Sequence, residues 1–422
     1  MQIVTNSKPS FRCFLIVLIV LLSFNPYLII IQHIPFLNVY AGSLLQLVLI
    51  PLFLLLLSKK RLKVPPSIVR LCLLVQIIGY AFSFVVHGGI GYILVYLIIL
   101  LMILLFSYIE NYIGFINFFK YYNKWILLMS LGGVAIFIMG QFLGIPPLYQ
   151  APSAIIETST ISSWGIGYTN CYFTDSPLSF IRYSGFFDEP GAMGYWGIYA
   201  LVINKLFIND KRVEWMLLIA LFFTFSFGYF IQAFVFIFLF YGLSELKGRS
   251  VWIIIIVAAT LIGIYSTKGN EDSGMYKIIF GRFEKIEQTD NGLSIDDRRD
   301  ELAEMAKKTF IENPLFGVGI KEWSKMPYMS DNPYETLAKD GLFGTFYLYF
   351  PYIVLLVIAL KHRKTDLLKG LFVVGLGFLH RPFHENLLAF FMLYSILYLT
   401  IRTTYNKKTN ESLSINNNSC LQ

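Results

Sequence analysis

The feature that most limits how this chain can fold is the recurrence of long apolar runs separated by short basic clusters. A membrane-crossing helix needs roughly 20 predominantly apolar residues, and about twelve such runs are present. They cover residues 11–32, 36–58, 67–86, 90–109, 124–145, 186–207, 212–227, 229–244, 250–266, 341–360, 366–380 and 386–402. The chain is 56% hydrophobic and 14% charged, whereas a soluble globule is charged at about a quarter of its residues. An ordinary soluble domain is excluded, and the pattern predicts an all-α polytopic membrane protein with about twelve transmembrane helices. Residues 1–402 read as one transmembrane domain. The first run starts like a signal-peptide core at Phe14, but it continues through Asn25-Pro26 to Ile31 with no small-residue cleavage pattern, so it reads as a retained span.

The basic clusters set the expected orientation. Lys8 and Arg12, Lys59-Lys60-Arg61-Lys63, Lys120 and Lys124, Lys211-Arg212, Lys247 and Arg249, Lys361 with Arg363-Lys364, and Arg402 with Lys407-Lys408 all fall on one side of the twelve-span layout. Lysine and arginine collect in short cytoplasmic loops, which predicts cytoplasmic N and C termini in a bacterial cytoplasmic (inner) membrane. The net charge of +8 is dispersed among these clusters, so it signals topology and no nucleic-acid partner. Cys13 and Cys72 lie inside apolar runs, Cys171 in a loop and Cys420 in the tail, a distribution with neither disulfide nor zinc-ligand spacing. Residues 403–422, a polar segment with Asn416-Asn417-Asn418, are expected to form a disordered cytoplasmic tail.

Two long loops then face outward, at residues 146–181 and 267–340, and loops of that length within a compact domain are usually functional or disordered. The second carries a helical pattern from Ser294 to Ile311, with acids early, Lys307-Lys308 late and Asn313-Pro314 as a stop. Its Leu302, Met305 and Phe310 need an apolar surface, which predicts that the helix lies on the outer ends of the membrane helices as a lid or wall.

Where the first loop enters an apolar run, the sequence reads Arg182-Tyr183-Ser184-Gly185-Phe186-Phe187-Asp188-Glu189-Pro190-Gly191-Ala192-Met193-Gly194. Charges at the mouth of a membrane helix are costly unless they face a cavity or a partner. Acids before a proline also make an ordinary helix start, and the glycines let a neighbouring helix approach. Arg182 and Glu189 together suit a further role, since a cation can hold a phosphate and a carboxylate can take a proton.

The Arg182-x-x-Gly185-x-x-x-Glu189-Pro190 pattern is followed by Arg299-Asp300-Glu301-Leu302 and Asn313-Pro314-Leu315-Phe316-Gly317-Val318-Gly319. In this order the motifs resemble the O-antigen polymerase and ligase superfamily of bacterial surface polysaccharide assembly. That resemblance covers roughly residues 180 to 345 and implies a GT-C-like fold with two periplasmic loops, the second partly helical. It implies a glycosyltransferase that joins undecaprenyl-pyrophosphate-linked oligosaccharides of an O-antigen or capsule-like glycan on the periplasmic face, without metal or other cofactor. Donor and acceptor are then both lipid-linked, membrane lipid surrounds the enzyme, and a chain-length regulator protein is an admissible partner. The resemblance places Arg182, Glu189, Arg299 and Asp331 in catalysis. Arg298, Arg282, Asn332, Tyr334, Arg381 and Gly185 are the candidate substrate contacts. Arginines neutralise a pyrophosphate leaving group where no metal does, and Glu189, with Asp331 second, suits the base for an acceptor hydroxyl. Trp164, Trp196, Trp323 and Tyr334 are candidates for stacking on sugars.

The ligase branch tends to carry a His-Asn pair before a Gly-Leu-x-Gly; here Ser330-Asp331-Asn332-Pro333-Tyr334 precedes Gly341-Leu342-Phe343-Gly344. This favours a polymerase over the ligase. A lipid-linked oligosaccharide flippase is the alternative from another class, but transporters place charges near the bilayer midplane and are often built of repeated halves, neither of which this chain displays. His380 and His384 flank Pro382 with no third ligand in the sequence pattern, so they read as interfacial histidines rather than a metal pair.

The orientation is checked by reporter fusions: those after Lys63, Lys211 and Arg363 are expected to report a cytoplasmic position and one near Asn291 an external one. An internal Asn291 would overturn the site assignment, because every proposed catalytic residue depends on that loop being outside.

Overall fold

The computed structural model describes residues 11–22, 48–58, 62–147, 149–152, 159–163, 170–174, 182–185, 187, 189–242, 287–289, 292–294, 297–326, 332–379, 381–382 and 386–419. The bundle begins with α1 (Phe11–Leu22), α2 (Val48–Leu57), α3 (Ser67–His87), α4 (Ile90–Tyr112) and α5 (Phe115–Phe137), the last extended by a π-helical turn at Ile138–Phe142. After four strands come α6 (Pro190–Ile203) with its own π-helical turn (Asn204–Ile208), α7 (Lys211–Phe222) and α8 (Phe227–Tyr241). A two-stranded hairpin precedes α9 (Asp297–Glu312), α10 (Gly319–Trp323), α11 (Glu335–Lys361), α12 (Thr365–Phe378) and α13 (Leu387–Ser419). Among the described residues five helices are long and apolar enough to cross a membrane, namely Ser67–His87, Gly91–Tyr112, Phe115–Phe142, Glu335–Lys361 and Leu387–Tyr405. The molecule is a mostly helical multi-pass membrane protein. The expected span at 250–266 lies outside the described residues.

Two differences from expectation have local causes. The all-α reading omits a four-stranded antiparallel meander, β1 (Tyr149–Pro152), β2 (Ser159–Ser163), β3 (Asn170–Thr174) and β4 (Arg182–Gly185), and the hairpin of β5 (Glu287–Thr289) and β6 (Gly292–Ser294). These strands are three to five residues long, too short to give an alternation that stands out beside helical runs. α7 and α8 are separate helices, in keeping with the two runs at 212–227 and 229–244, because the chain reverses over Phe223–Ser226 with Phe225 at φ 48° and Ser226 capping α8 by accepting from Tyr229 N. The tail expected to be unstructured from Thr403 instead prolongs α13 to Ser419, a stretch with no glycine or proline to stop a helix.

Two helices are central. α6 and the first half of α13 are hydrophobic on every side and buried along nearly their whole length, as a helix must be when neighbours surround it. Around α6, small residues set the spacing: Gly194 meets Tyr229 and Ser226, Gly197 meets Leu221, and Gly370 of α12 meets Val202 and Leu206. The antiparallel fit of α6 and α12 continues to Gly377, which lies on Tyr195. Tyr349 of α11 packs on Phe378 at 5.1 Å between ring centres, so the start of α11, the end of α12 and the start of α6 share one end of the bundle. The opposite end holds described basic residues, with Arg402 3.3 Å from Glu110, Lys364 Nζ 3.3 Å from Thr403 Oγ1 and Lys205 4.0 Å from Glu214. The described parts of the two long loops and these basic residues therefore occupy opposite ends.

At the first end the second loop is knitted into a broken helix. α11 contains Gly341 at φ 66° and ψ −171°, outside helical geometry, which frees the following N–H groups. Leu342 N donates to Pro314 O at 2.9 Å and Phe343 N to Leu315 O at 3.0 Å, while Val318 N donates to Ala338 O at 3.1 Å. A Cβ on Gly341 would overlap Leu315 and the Gly317 nitrogen; one on Gly317 would overlap the Lys339 carbonyl and the Asp340 nitrogen. α9 packs on α11 beyond this knot. Its buried face is Ala306 and Thr309 with Leu302 and Phe310 half-buried, whereas Met305 is exposed, so small residues rather than Met305 make the closest approach. The helix begins at Asp297, three residues after Ser294, which ends β6 instead.

Gly317→Ala or Gly341→Ala is expected to lower stability by on the order of 3 kcal/mol, through backbone overlap and a positive φ together. Gly114→Ala, at φ 79° with open space around it, carries the conformational penalty alone, roughly 1 kcal/mol. Thermal midpoints in detergent check this, and equal losses at the three positions would show that the close approach contributes nothing.

Candidate functional site

The site is built where three segments meet at the head of α6. β4 is driven into the bundle by Tyr183, whose ring lies over Gly133 of α5 and whose hydroxyl donates to Ala220 O of α7 at 2.6 Å. This clamp positions the preceding residue, Arg182, whose Nε donates to Thr224 O in the α7–α8 turn at 3.2 Å. Ser226 in the same turn faces Gly194 of α6. Gly185 closes β4 at φ 63°, and a side chain there would press on Met193 and Met129. Its burial marks it as a turn residue held against two methionines.

Glu189 has extended backbone angles and stands immediately before Pro190, the first residue of α6. Its carbonyl accepts from Ala192 N and Met193 N at 3.1 and 3.3 Å, so its backbone does start the helix. Its side chain caps nothing. The carboxylate instead forms an ion pair with Arg381, from the turn between α12 and α13. Arg381 is 5% exposed and its backbone N–H donates to Gly377 O at 2.7 Å, while the Glu189 side chain keeps 32% of its exposure. Gly191 lies beneath the pair, 3.2 Å in projected Cβ distance from Glu189 Oε1 and 3.6 Å from Arg381 Nη2; any larger residue there crowds the contact. The pair orients the carboxylate and stabilises its charge, leaving the accessible part of Glu189 at the mouth of the bundle.

The other expected site residues divide clearly. Asn332 is buried and its Oδ1 accepts from Tyr334 N at 2.9 Å, an Asx turn that starts α11. Tyr334 is the half-buried residue just before α11. Arg298 and Arg299 occupy the first turn of α9, with their side chains outside the described set, and Arg282, Asp331, His380 and His384 lie outside the described residues. Trp164 also lies outside them. Trp196 is 2% exposed, packed among Tyr195 and Tyr199, which removes it as a sugar-stacking surface; Trp323 and Tyr334 are half-buried. Sequence reading missed the contacts that matter most here. Nothing in the order of residues signals that Arg381 answers Glu189, or that a backbone carbonyl at Thr224 holds Arg182.

On α10, Glu322 is exposed and Lys325 Nζ lies 2.7 Å from its Oε1; this hydrogen bond and charge hold the carboxyl below its ordinary range.

Comparison with known families gives one match: residues 213–356 fit the family described as O-antigen ligase. The match supports the O-antigen polymerase and ligase superfamily, whose members are membrane glycosyltransferase-like enzymes. It runs from α7 into α11 and contains the Gly317–Gly341 knot, while the Arg182–Pro190 stretch lies just before it. No curated protein matches the chain.

Arg381→Met leaves a partly exposed carboxylate without this ion pair, and a loss of roughly 2 kcal/mol is expected, less than for a fully buried charge because Glu189 keeps access to water. Glu189→Gln is expected to cost less, and the double variant to recover part of the sum, because residues in one ion pair are not additive. Thermal midpoints of the four proteins check this; strictly additive losses would show that the two side chains are not energetically coupled.

Proposed function

We propose that this protein polymerises undecaprenyl-pyrophosphate-linked oligosaccharide repeat units of an O-antigen or capsule-like polysaccharide, on the periplasmic face of the cytoplasmic membrane. The observation that carries this reading is the placement of an oriented, partly accessible carboxylate, Glu189, on Arg381 at the bundle's mouth, within the same short segment as Arg182. In the proposed step the acceptor sugar's hydroxyl oxygen bonds to the donor's anomeric carbon. The bond from that carbon to the pyrophosphate oxygen breaks, the lipid pyrophosphate leaves with the electron pair, and Glu189 takes the hydroxyl proton. Arg182, with Arg299 from α9, stabilises the charge growing on the pyrophosphate. Arg298, Arg282 and Tyr334 are assigned to the substrates, and Asp331 is the second choice of base.

The reading includes about twelve spans, both termini in the cytoplasm and a chain-length regulator as partner. The gathering of Lys364 and Arg402 at one end of the bundle supports that orientation. The ligase reading is favoured by the description of the matched family. Asp331-Asn332 in the place of a His-Asn pair favours the polymerase.

Deletion of the gene and glycan gel analysis separates the possibilities: single repeat units on the carrier or lipid core mark a polymerase, polymer off the core a ligase, and no exported repeat a flippase. Complementation with Arg182→Lys or Arg299→Lys is expected to restore normal amounts of inserted protein but about a hundredfold less polymer, since lysine does not reproduce a bidentate contact that strengthens in the transition state. Glu189→Gln is expected to fail similarly; wild-type polymer in that variant would reduce Glu189 to a helix-start residue.

A further inference from the structure

The end of the bundle that holds Glu189 also carries an exposed apolar surface, which begins on two crossing helices and ends on the second loop. Leu74, Ile78 and Phe82 are exposed along one face of α3. On α11, Phe343, Phe346 and Val357 are exposed at helical spacing as well. Both helices are long and apolar enough to cross a membrane, so these stripes meet lipid. They converge where Phe82 packs on Phe343, 4.8 Å between ring centres. Phe316 of the second loop joins them there, 5.4 Å from Phe82 and 6.1 Å from Phe343. Its neighbour Leu315 is 59% exposed. The loop thus prolongs the lipid-facing surface.

The backbone of this segment suits the same surroundings. A carbonyl in lipid has no water to accept from, and one left unpaired there is costly. Pro314 O accepts from Leu342 N at 2.9 Å, Leu315 O from Phe343 N at 3.0 Å and Phe316 O from His87 Nε2 at 2.9 Å. These consecutive carbonyls are therefore all paired with the crossing helices themselves. His87 is fixed in turn, because Gly319 leaves the space its ring fills. Residues 313–320 include no charged side chain, whereas Glu312 and Lys321 bound the stretch. Neither feature is required of a loop that lies in water.

We propose that segment 314–316 is an interfacial anchor, with Leu315 and Phe316 entering the acyl chains of the bilayer leaflet at that end of the bundle. The partner is the lipid surface, and continuity with the lipid-facing stripes of α3 and α11 identifies it. The anchor fixes the height of the chain that leaves α9, so the last turn of α9 is held at the membrane surface. It uses none of the residues assigned to glycosyl transfer and does not depend on that reading.

Full-length protein carrying Cys171→Ser and Cys420→Ser, which leaves the buried Cys13 and Cys72, receives one new cysteine at a time. Each variant is labelled with an environment-sensitive fluorophore and reconstituted in phosphatidylglycerol–phosphatidylethanolamine vesicles, with iodide available on both faces. The label at Leu315→Cys is expected to emit at shorter wavelength and to lose fluorescence to nitroxide-bearing lipid but not to iodide, as the label at Val357→Cys on α11 does. Lys308→Cys, at an exposed position of α9, is expected to show the reverse. Iodide quenching at Leu315→Cys would place the segment in water. Quenching by neither agent would place protein over it, from this chain or a second copy; either result overturns the proposal. Leu315 is exposed and meets α11 through its carbonyl, so the substitution keeps that joint. Unlabelled wild-type protein supplies a second reading that no misfolded variant can spoil. A phospholipid with a photoreactive diazirine in its acyl chain is expected to mark Leu315 or Phe316 within tryptic peptide 309–321, and a peptide without that mark would overturn the proposal.

Discussion

A helix broken at the edge of a membrane leaves N–H groups that lipid cannot satisfy, and the break at Gly341 is where this constraint shapes the protein. The carbonyls of Pro314 and Leu315 answer the freed N–H groups of Leu342 and Phe343, and Ala338 returns the exchange to Val318. The backbones come this close because neither Gly317 nor Gly341 carries a Cβ. The second loop is thereby joined to the bundle by main-chain hydrogen bonds, each worth about 1 kcal/mol net but costly to leave unmade. α9, with the arginines of its first turn, is held on α11 from there.

The second organising contact is the ion pair of Glu189 and Arg381. It connects the heads of the two most deeply buried segments, since Glu189 opens α6 and Arg381 lies in the turn that leads to α13. A pair so placed is weak support for stability, because desolvation offsets much of the attraction. Its value is orientation. The arginine is buried beside Gly191 at the head of α6, and the carboxylate keeps part of its exposure.

The opposite end of the molecule repeats the theme with a different balance. There Arg402 has Glu110 and Lys205 has Glu214, with Tyr241 also donating to that buried carboxylate. Of the basic residues that encode orientation, Arg402 thus has a carboxylate partner and Lys364 a hydroxyl one.

The membrane class, the helices at 67–87, 90–112 and 387–402 and the separation of basic from loop-bearing ends were legible in sequence, because apolar length and charge act over consecutive residues. The head of α6 was legible too, from Asp188-Glu189-Pro190 alone. The short strands and the continuation of α13 were not, since each depends on a few residues whose local preferences are weak beside the apolar runs. The roles of Asn332, Gly185 and Trp196 were decided by burial, which no local pattern discloses. The partnership of Glu189 with Arg381 and the interlock of Gly317 with Gly341 belong to the tertiary structure alone: each joins residues far apart in the chain, and only the packing of α6 on α12, and of the second loop on α11, brings their charges or backbones within hydrogen-bonding reach.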